Sequence, residues 1–196
     1  MKFKTPFLYK LSKIILGPIF KLYYNPRIEG KELIPKEGPI VVAGNHVHLL
    51  DQCLAIISTK RCLHYMAKKE YFDNKKVAWF FKENGCICVD RSKKDPKAKE
   101  QALEVLNDNG AIGIFPEGTR NKTKEILQPF KYGAVSLAQK TDAYIVPFAI
   151  TGKYKFRSKI KVTFGKPFKV GKMTLEEAND KLYNEVLKLI KQNSKD

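Results

Sequence analysis

The sequence predicts a single α/β domain. Short β-branched or apolar runs recur at 39–44, 61–67, 85–89, 111–115 and 144–151, and each reads as a buried strand. Between them lie stretches whose apolar residues return at helical spacing. At 196 residues and 43% hydrophobic content, the chain fits one domain with a substantial core, without internal repeat or linker.

Residues 1–28 form a candidate N-terminal segment, and 29–196 the α/β domain. The first segment has no acidic residue; Lys10, Lys13, Lys21 and others sit among Phe7, Ile14, Ile19 and Phe20. A membrane-spanning helix needs about 20 predominantly apolar residues. Here lysines interrupt early, and Gly17-Pro18 is expected to break or kink the helix midway. The pattern suits one or two amphipathic helices lying in a membrane interface, with Lys10, Lys13, Phe20 and Lys21 at the headgroup boundary. Packing of the same segment on the domain's own core is the other reading.

Pro39–Gly44 is a strand entering a turn, and Cys53–Ile57 begins a helix. Between them lies Asn45-His46-Val47-His48-Leu49-Leu50-Asp51. Histidine and aspartate thus sit where a strand hands over to a helix, a usual place for chemistry in α/β folds. On one continuous helix His46 and Asp51 would point about 140° apart, so they meet only if the turn is not helical. A carboxylate-held imidazole is an oriented general base. His48, three before Asp51, is a rival with better helical spacing.

Further along, His64 in the strand at 61–67 reads as structural. The aromatics of Val77–Phe81 suit a short helix facing the core or lining a fatty-chain tunnel. Arg91, after the strand Gly85–Val89, is either a surface partner of Asp90 or a phosphate ligand. A polar helix from Lys93 to Asn109 ends at Gly110, a good residue just past a helix end. The strand at 111–115 runs into Pro116-Glu117-Gly118-Thr119-Arg120. Gly118 lets a ligand approach the backbone, while Thr119 and Arg120 offer donors to an anionic oxygen, with Lys122, Lys124 and Lys131 nearby.

A helix follows from Lys131 to Lys140. Tyr144–Thr151 is then a strand whose Pro147 implies an edge position or a bulge. Alternating basic and mostly apolar residues from Lys153 to Val162 suggest an exposed strand. Thr174 and Glu177 form a capping box that starts a last helix with Leu175, Ala178, Leu182, Val186, Leu189 and Ile190 inward.

The 37 basic and 20 acidic residues give a formal charge of +17. A charge so far from zero predicts a polyanionic partner: nucleic acid, an anionic membrane, or an acidic carrier or substrate. Cys53, Cys62, Cys86 and Cys88 lack metal-ligand spacing, so no metal site is expected. No cleavable signal is evident, and the thiols read as reduced and cytosolic.

Four separated segments share one pattern. Asn45-His46-x4-Asp51, Gly85-x5-Arg91, Phe115-Pro116-Glu117-Gly118-Thr119-Arg120 and Val146-Pro147 resemble the four ordered motifs of the glycerolipid acyltransferase family. The likeness spans roughly residues 30–165 and is nearest to bacterial members acting on 1-acylglycerol-3-phosphate. It implies a mixed, mostly parallel sheet flanked by helices. It implies transfer of a fatty acyl group from a thioester, acyl-CoA or acyl-carrier protein (ACP), to the sn-2 hydroxyl of lysophosphatidate, giving phosphatidate; glycerol-3-phosphate or another lysolipid is the alternative acceptor. His46 would be the base, Asp51 its orienter, and Arg91, Glu117, Gly118, Thr119 and Arg120 the glycerol-phosphate site. No cofactor beyond the donor is implied. The family often has Ser where His48 stands, which leaves that residue's part open. The enzyme would work peripherally at the cytoplasmic face of the membrane. A nucleic-acid partner is not expected, because no recognition signature appears and the apolar N-terminus would go unexplained.

Overall fold

Strand β2, Ile40–Gly44, is buried along its whole length and lies at the middle of a seven-stranded sheet. The other strands are β1 (Arg27–Glu29), β3 (Leu63–Lys68), β4 (Ile87–Val89), β5 (Ala111–Ile114), β6 (Tyr144–Thr151) and β7 (Lys161–Phe164). Helices are α1 (Phe7–Tyr24), α2 (Asp51–Ser58), α3 (Lys69–Asp73), α4 (Lys75–Glu83), α5 (Pro96–Asn107), α6 (Gly133–Thr141) and α7 (Leu175–Asn193). The structure, a computed structural model, describes residues 5–90, 92, 94–158 and 160–195. Arg91 lies outside the described residues.

Strand order is β1-β7-β6-β2-β5-β3-β4, parallel throughout except for the β6–β7 pair. Side chains alternate across this buried sheet. Val41, Ala43, Ile112 and Ile145 face the layer of α5, α6 and α7. Ile40, Val42, Val146 and Phe148 face the other side, under α1 and α2. The connection leaving β2 runs to one face and the one leaving β5 to the other. A crevice therefore opens at the carboxyl ends of these neighbouring strands, where open α/β sheets bind ligands.

Asn45 extends β2 by side-chain bonding. Its amide donates to the Ile150 carbonyl at 2.9 Å and accepts from the Ile150 N–H at 2.7 Å, both buried. This bidentate clip fixes the start of the turn that carries His46. The capping box of α7 forms in full: the Glu177 N–H donates to Thr174 Oγ1, and the Thr174 N–H to Glu177 Oε2. Ala178, Leu182, Val186, Leu189 and Ile190 are buried along that helix.

Several local expectations change. Helix α1 runs unbroken through Gly17-Pro18. Its tertiary contacts offset the cost of an interior proline: Tyr9 and Gly17 are buried, and Phe20 and Tyr24 pack on the core. Phe20, expected at the membrane boundary, thus turns inward, and the half-buried Lys13 donates to the Thr59 carbonyl. The outward face leaves Phe7, Ile14, Ile19 and Leu22 more than half exposed. The segment boundary also moves, because residues 27–29 already form β1 beside β7.

Helix α5 ends in a Schellman turn whose left-handed residue is Asn109, at φ 60°. The N–H groups of Asn109 and Gly110 bond to the carbonyls of Leu106 and Val105. Gly110 serves close approach instead, since a Cβ there would meet Val105 at 2.5 Å. Pro147 is not at an edge: β6 lies between β2 and β7. The bulge alternative holds, because the Phe148–Phe164 pairing and the Ile145–Phe168 bridge differ in register by one residue. The Pro147 carbonyl accepts from Gly165 N–H, so its nitrogen also faces this interrupted side, where no ladder donor is needed. Residues 152–158 are not a strand; β7 begins only at Lys161.

Replacing Asn45 by Ala would leave the buried Ile150 N–H and carbonyl without partners. Urea unfolding should show a loss of about 2–4 kcal/mol, since each orphaned buried group costs about 1–3 kcal/mol. A loss below about 0.5 kcal/mol would show that the clip does not hold this turn.

Candidate active site

Three loops leave the carboxyl ends of the adjacent parallel strands β5, β2 and β6, and they converge. The loop after β2 carries His46 and His48. That after β5 carries Glu117 to Arg120, and that after β6 carries Tyr154.

The turn after Asn45 is not helical; α2 starts only at Asp51. Asp51 therefore reaches back over its own approach. Its fully buried carboxylate accepts His46 Nδ1 at 2.8 Å, Val47 N–H at 2.6 Å and His48 N–H at 2.8 Å, all on Oδ2. Oδ1 accepts the Tyr154 hydroxyl at 2.7 Å. With the carboxylate as acceptor, Nδ1 of His46 must carry the proton, which leaves Nε2 as the basic nitrogen. The His46 ring stacks on Phe115, centroids 4.1 Å apart and planes 11° apart.

His48 is held differently. Its Nδ1 accepts from the Leu50 N–H at 3.2 Å, and its ring stacks on Tyr154 at 4.0 Å. Only its backbone touches Asp51, so the structure gives the oriented imidazole to His46. His64 bonds through Nδ1 to the Gly85 carbonyl, away from these loops.

Glu117 is buried, and both its oxygens accept backbone N–H groups: His46 at 2.7 Å and Gln128 at 3.0 Å. It clips the His46 loop to the loop after β5. The Asn121 N–H reinforces that clip by donating to the His46 carbonyl at 2.6 Å. Burial raises the Glu117 carboxyl above its usual value, against these hydrogen bonds, which lower it. Gly118 takes a left-handed φ of 75°, and a Cβ there would meet the Lys131 side chain at 2.9 Å. Thr119 and Arg120 are exposed beside this turn.

A cleft of about 310 Å³ opens here, with His46, Phe115, Gly118, Lys99 and Lys131 in its walls. Tyr65 forms part of its wall and also faces a second, apolar cavity of about 180 Å³ between α1, α2 and α4, lined by Leu16, Phe20, Ile56 and Phe81. The aromatics of α4 divide: Phe81 lines this cavity and Trp79 is exposed.

Tyr154 carried no local signal. The alternating pattern placed it on the apolar side of a strand, whereas it enters the site from a loop. Burial and the neighbouring Asp51 push its phenol well above the usual value, so it remains a neutral donor. All four cysteines are free thiols. Burial pushes Cys53, nearest the pair in sequence, up to about 11, and Cys62 up to about 12, which makes them poor nucleophiles. No cluster of possible metal ligands occurs among the described residues.

A histidine held by a buried carboxylate, at the mouth of a mostly parallel sheet, is an arrangement suited to a group-transfer enzyme. Residues 25–151 match a family described as Acyltransferase, and the chain belongs to that family. It is 34% identical over 166 residues to a 1-acyl-sn-glycerol-3-phosphate acyltransferase of Bacillus subtilis strain 168, covering 82% of each protein. A protein of the same description from Borreliella burgdorferi is 30% identical over 131 residues, 66% of this chain and 52% of that one. The chain thus spans about half the length of that relative. Among solved structures, the 1-acyl-sn-glycerophosphate acyltransferase PlsC from Thermotoga maritima superposes with a TM-score of 0.79 at 23% identity. That likeness covers 95% of this chain and 79% of the other, and it shows the shared fold.

Burial of Glu117 has a consequence for stability. Below the ordinary glutamate value of 4.5 both folded and unfolded chains hold the proton. As pH rises from there toward the raised folded value, the unfolded chain releases its proton first, so this group's contribution to stability falls. Glu117→Gln cannot titrate. The unfolding free energy of the wild type minus that of Glu117→Gln should therefore decrease across this window and level off above it. A difference that is constant with pH would contradict the burial cost.

Proposed function

We propose that the protein transfers a fatty acyl group from an acyl thioester to the sn-2 hydroxyl of 1-acylglycerol-3-phosphate, giving phosphatidate. The observation that carries this reading is the 2.8 Å contact between His46 Nδ1 and the buried Asp51, set in the cleft that also holds Gly118 and Lys131. Nε2 of His46 accepts the proton of the acceptor hydroxyl while its oxygen attacks the thioester carbonyl. The carbon–sulfur bond then breaks, and the imidazolium returns the proton to the departing thiolate. No acyl-enzyme is needed. Donors directed at the developing oxyanion would lower the barrier further.

Thr119 and Arg120, on the turn clipped to His46, suit the glycerol phosphate. Lys131, across Gly118, adds positive charge in the same cleft. By resemblance Arg91 would join them, while Glu117 supports the site through its backbone bonds. The apolar cavity behind Tyr65 suits a fatty chain. The donor is acyl-CoA or acyl-ACP, and the net charge of +17 suits either.

Activity should be scored as labelled phosphatidate formed from lysophosphatidate with acyl-CoA or acyl-ACP. His46→Ala should abolish it in a folded protein. Arg120→Ala should raise the acceptor KM roughly tenfold with little change for the donor. Retained activity in His46→Ala would refute the mechanism, and equal effects on both substrates would refute Arg120 as phosphate ligand.

The acceptor is a membrane lipid, and the outward face of α1 supplies a means of reaching it. Phe7, Ile14, Ile19 and Leu22 form an exposed apolar stripe, with Lys10 and Lys21 on the same helix. No helix of the described residues is long and apolar enough to cross a membrane. The protein would lie on the cytoplasmic membrane surface with this stripe in the interface. Ile14→Asp with Leu22→Asp leaves the inward face intact and should weaken sedimentation with anionic liposomes about tenfold or more. Unchanged sedimentation would remove α1 as the membrane contact.

A further inference from the structure

We propose that Tyr154 is a positioning residue for the proton-transferring pair: its hydroxyl holds one oxygen of Asp51 so that the other is presented to His46. The inference rests on the acyl-transfer reading above.

Asp51 has no solvent access, so its acceptors must find protein donors. Oδ2 is shared by His46 Nδ1 and the N–H groups of Val47 and His48. Oδ1 receives the Tyr154 hydroxyl at 2.7 Å, from a residue 103 positions away. Three of the four donors come from the turn itself. Among the described residues Tyr154 makes the one long-range bond to this carboxylate, and it fixes the group against rotation about its own Cβ–Cγ bond.

Tyr154 is itself held. Its ring stacks on His48 at 19° and meets the edge of Tyr24, in the last turn of α1, with centroids 5.6 Å apart. The Arg157 N–H donates to the Tyr23 carbonyl at 2.9 Å, and Phe156 packs on the Tyr23 ring. The end of α1 thus braces the loop that delivers the hydroxyl. The helix offered to the membrane and the catalytic carboxylate are two contacts apart.

The hydroxyl also bears on the charge that Asp51 presents to His46. Donation to Oδ1 withdraws part of the carboxylate's charge from the imidazolium. Without it Asp51 stabilises the cation more strongly, and His46 takes up its proton at higher pH. Other ionisable groups around the pair and Tyr154 are His48 in the same turn, Tyr24 on α1, Glu117 in the loop after β5, Cys53 on α2, Tyr65 on β3 and Lys131 across the cleft. A change of Tyr154 to Phe leaves all of them in place.

The test is Tyr154→Phe in the full chain, with phosphatidate formation and the His46 imidazole titration by NMR read side by side. Expected are a roughly tenfold lower kcat, an acceptor KM within about twofold, and an acid limb moved to higher pH by about half to one unit. The NMR titration should move in the same direction. Tyr24→Leu, which keeps the hydroxyl but removes the brace, should shift the titration the same way by less. A titration and pH–rate limb that superpose on the wild type would overturn the proposal, as would a rate loss matched by loss of folded protein alone. Because the NMR readout needs no turnover, a shifted titration in a protein inactive on lysophosphatidate would fault the substrate assignment and leave the positioning role standing.

Discussion

A carboxylate sealed from water has to be satisfied by the protein, and in this chain that demand falls on Asp51. Leaving such a group without donors would cost more than any single contact in the domain returns. The chain meets it by folding the residues before α2 back over the side chain, so that two backbone N–H groups and an imidazole point at one oxygen. The geometry that stabilises the carboxylate is therefore the geometry that aims the histidine. Stability and chemistry are not separate requirements at this turn.

Glu117 repeats the device one strand away. Its two oxygens take backbone donors from two loops, and this ties the β5 loop to the β2 loop at His46. Buried acids thus act as internal clips, while the basic side chains beside them, Arg120 and Lys131, are exposed. Asp90 and Asp95 also line the cleft at His46, the latter accepting the N–H groups of Asp90 and Ala98. Glu117, the acidic residue of the Phe115–Arg120 motif, holds backbone N–H groups of two loops.

Helix α1 has two faces with different duties. Tyr9, Gly17, Phe20 and Tyr24 pack on the domain, Gly17 beside Ile57 of α2. The opposite face is apolar and has no partner among the described residues. The alternatives of core packing and interface seating are therefore compatible. The helix is docked on the domain by one face, and its last turn touches the loop that reaches Asp51.

Strand and helix positions were legible because a buried parallel sheet imposes apolar runs, and its helices impose a repeat near 3.6. The capping box at Thr174 was legible because both of its bonds lie within one turn. The partnership of His46 with Asp51 was legible only as a condition on the turn, and the condition is met. Local signals misled where a neighbour decides. Pro18 reads as a break or kink, yet α1 continues through it with its inner face packed on the domain. The basic alternation after residue 152 reads as a strand, yet 152–158 is a loop and β7 begins at Lys161. The sequence by itself determined the fold class, which follows from periodicity, and the ordered motifs, which follow from residue type and order along the chain. Only the tertiary structure decided that Glu117 clips backbone, that His48 is a stacking partner, and that Tyr154 completes the shell of Asp51. Those roles depend on which loops of adjacent strands meet, and strand order leaves no mark on the residues of any one loop.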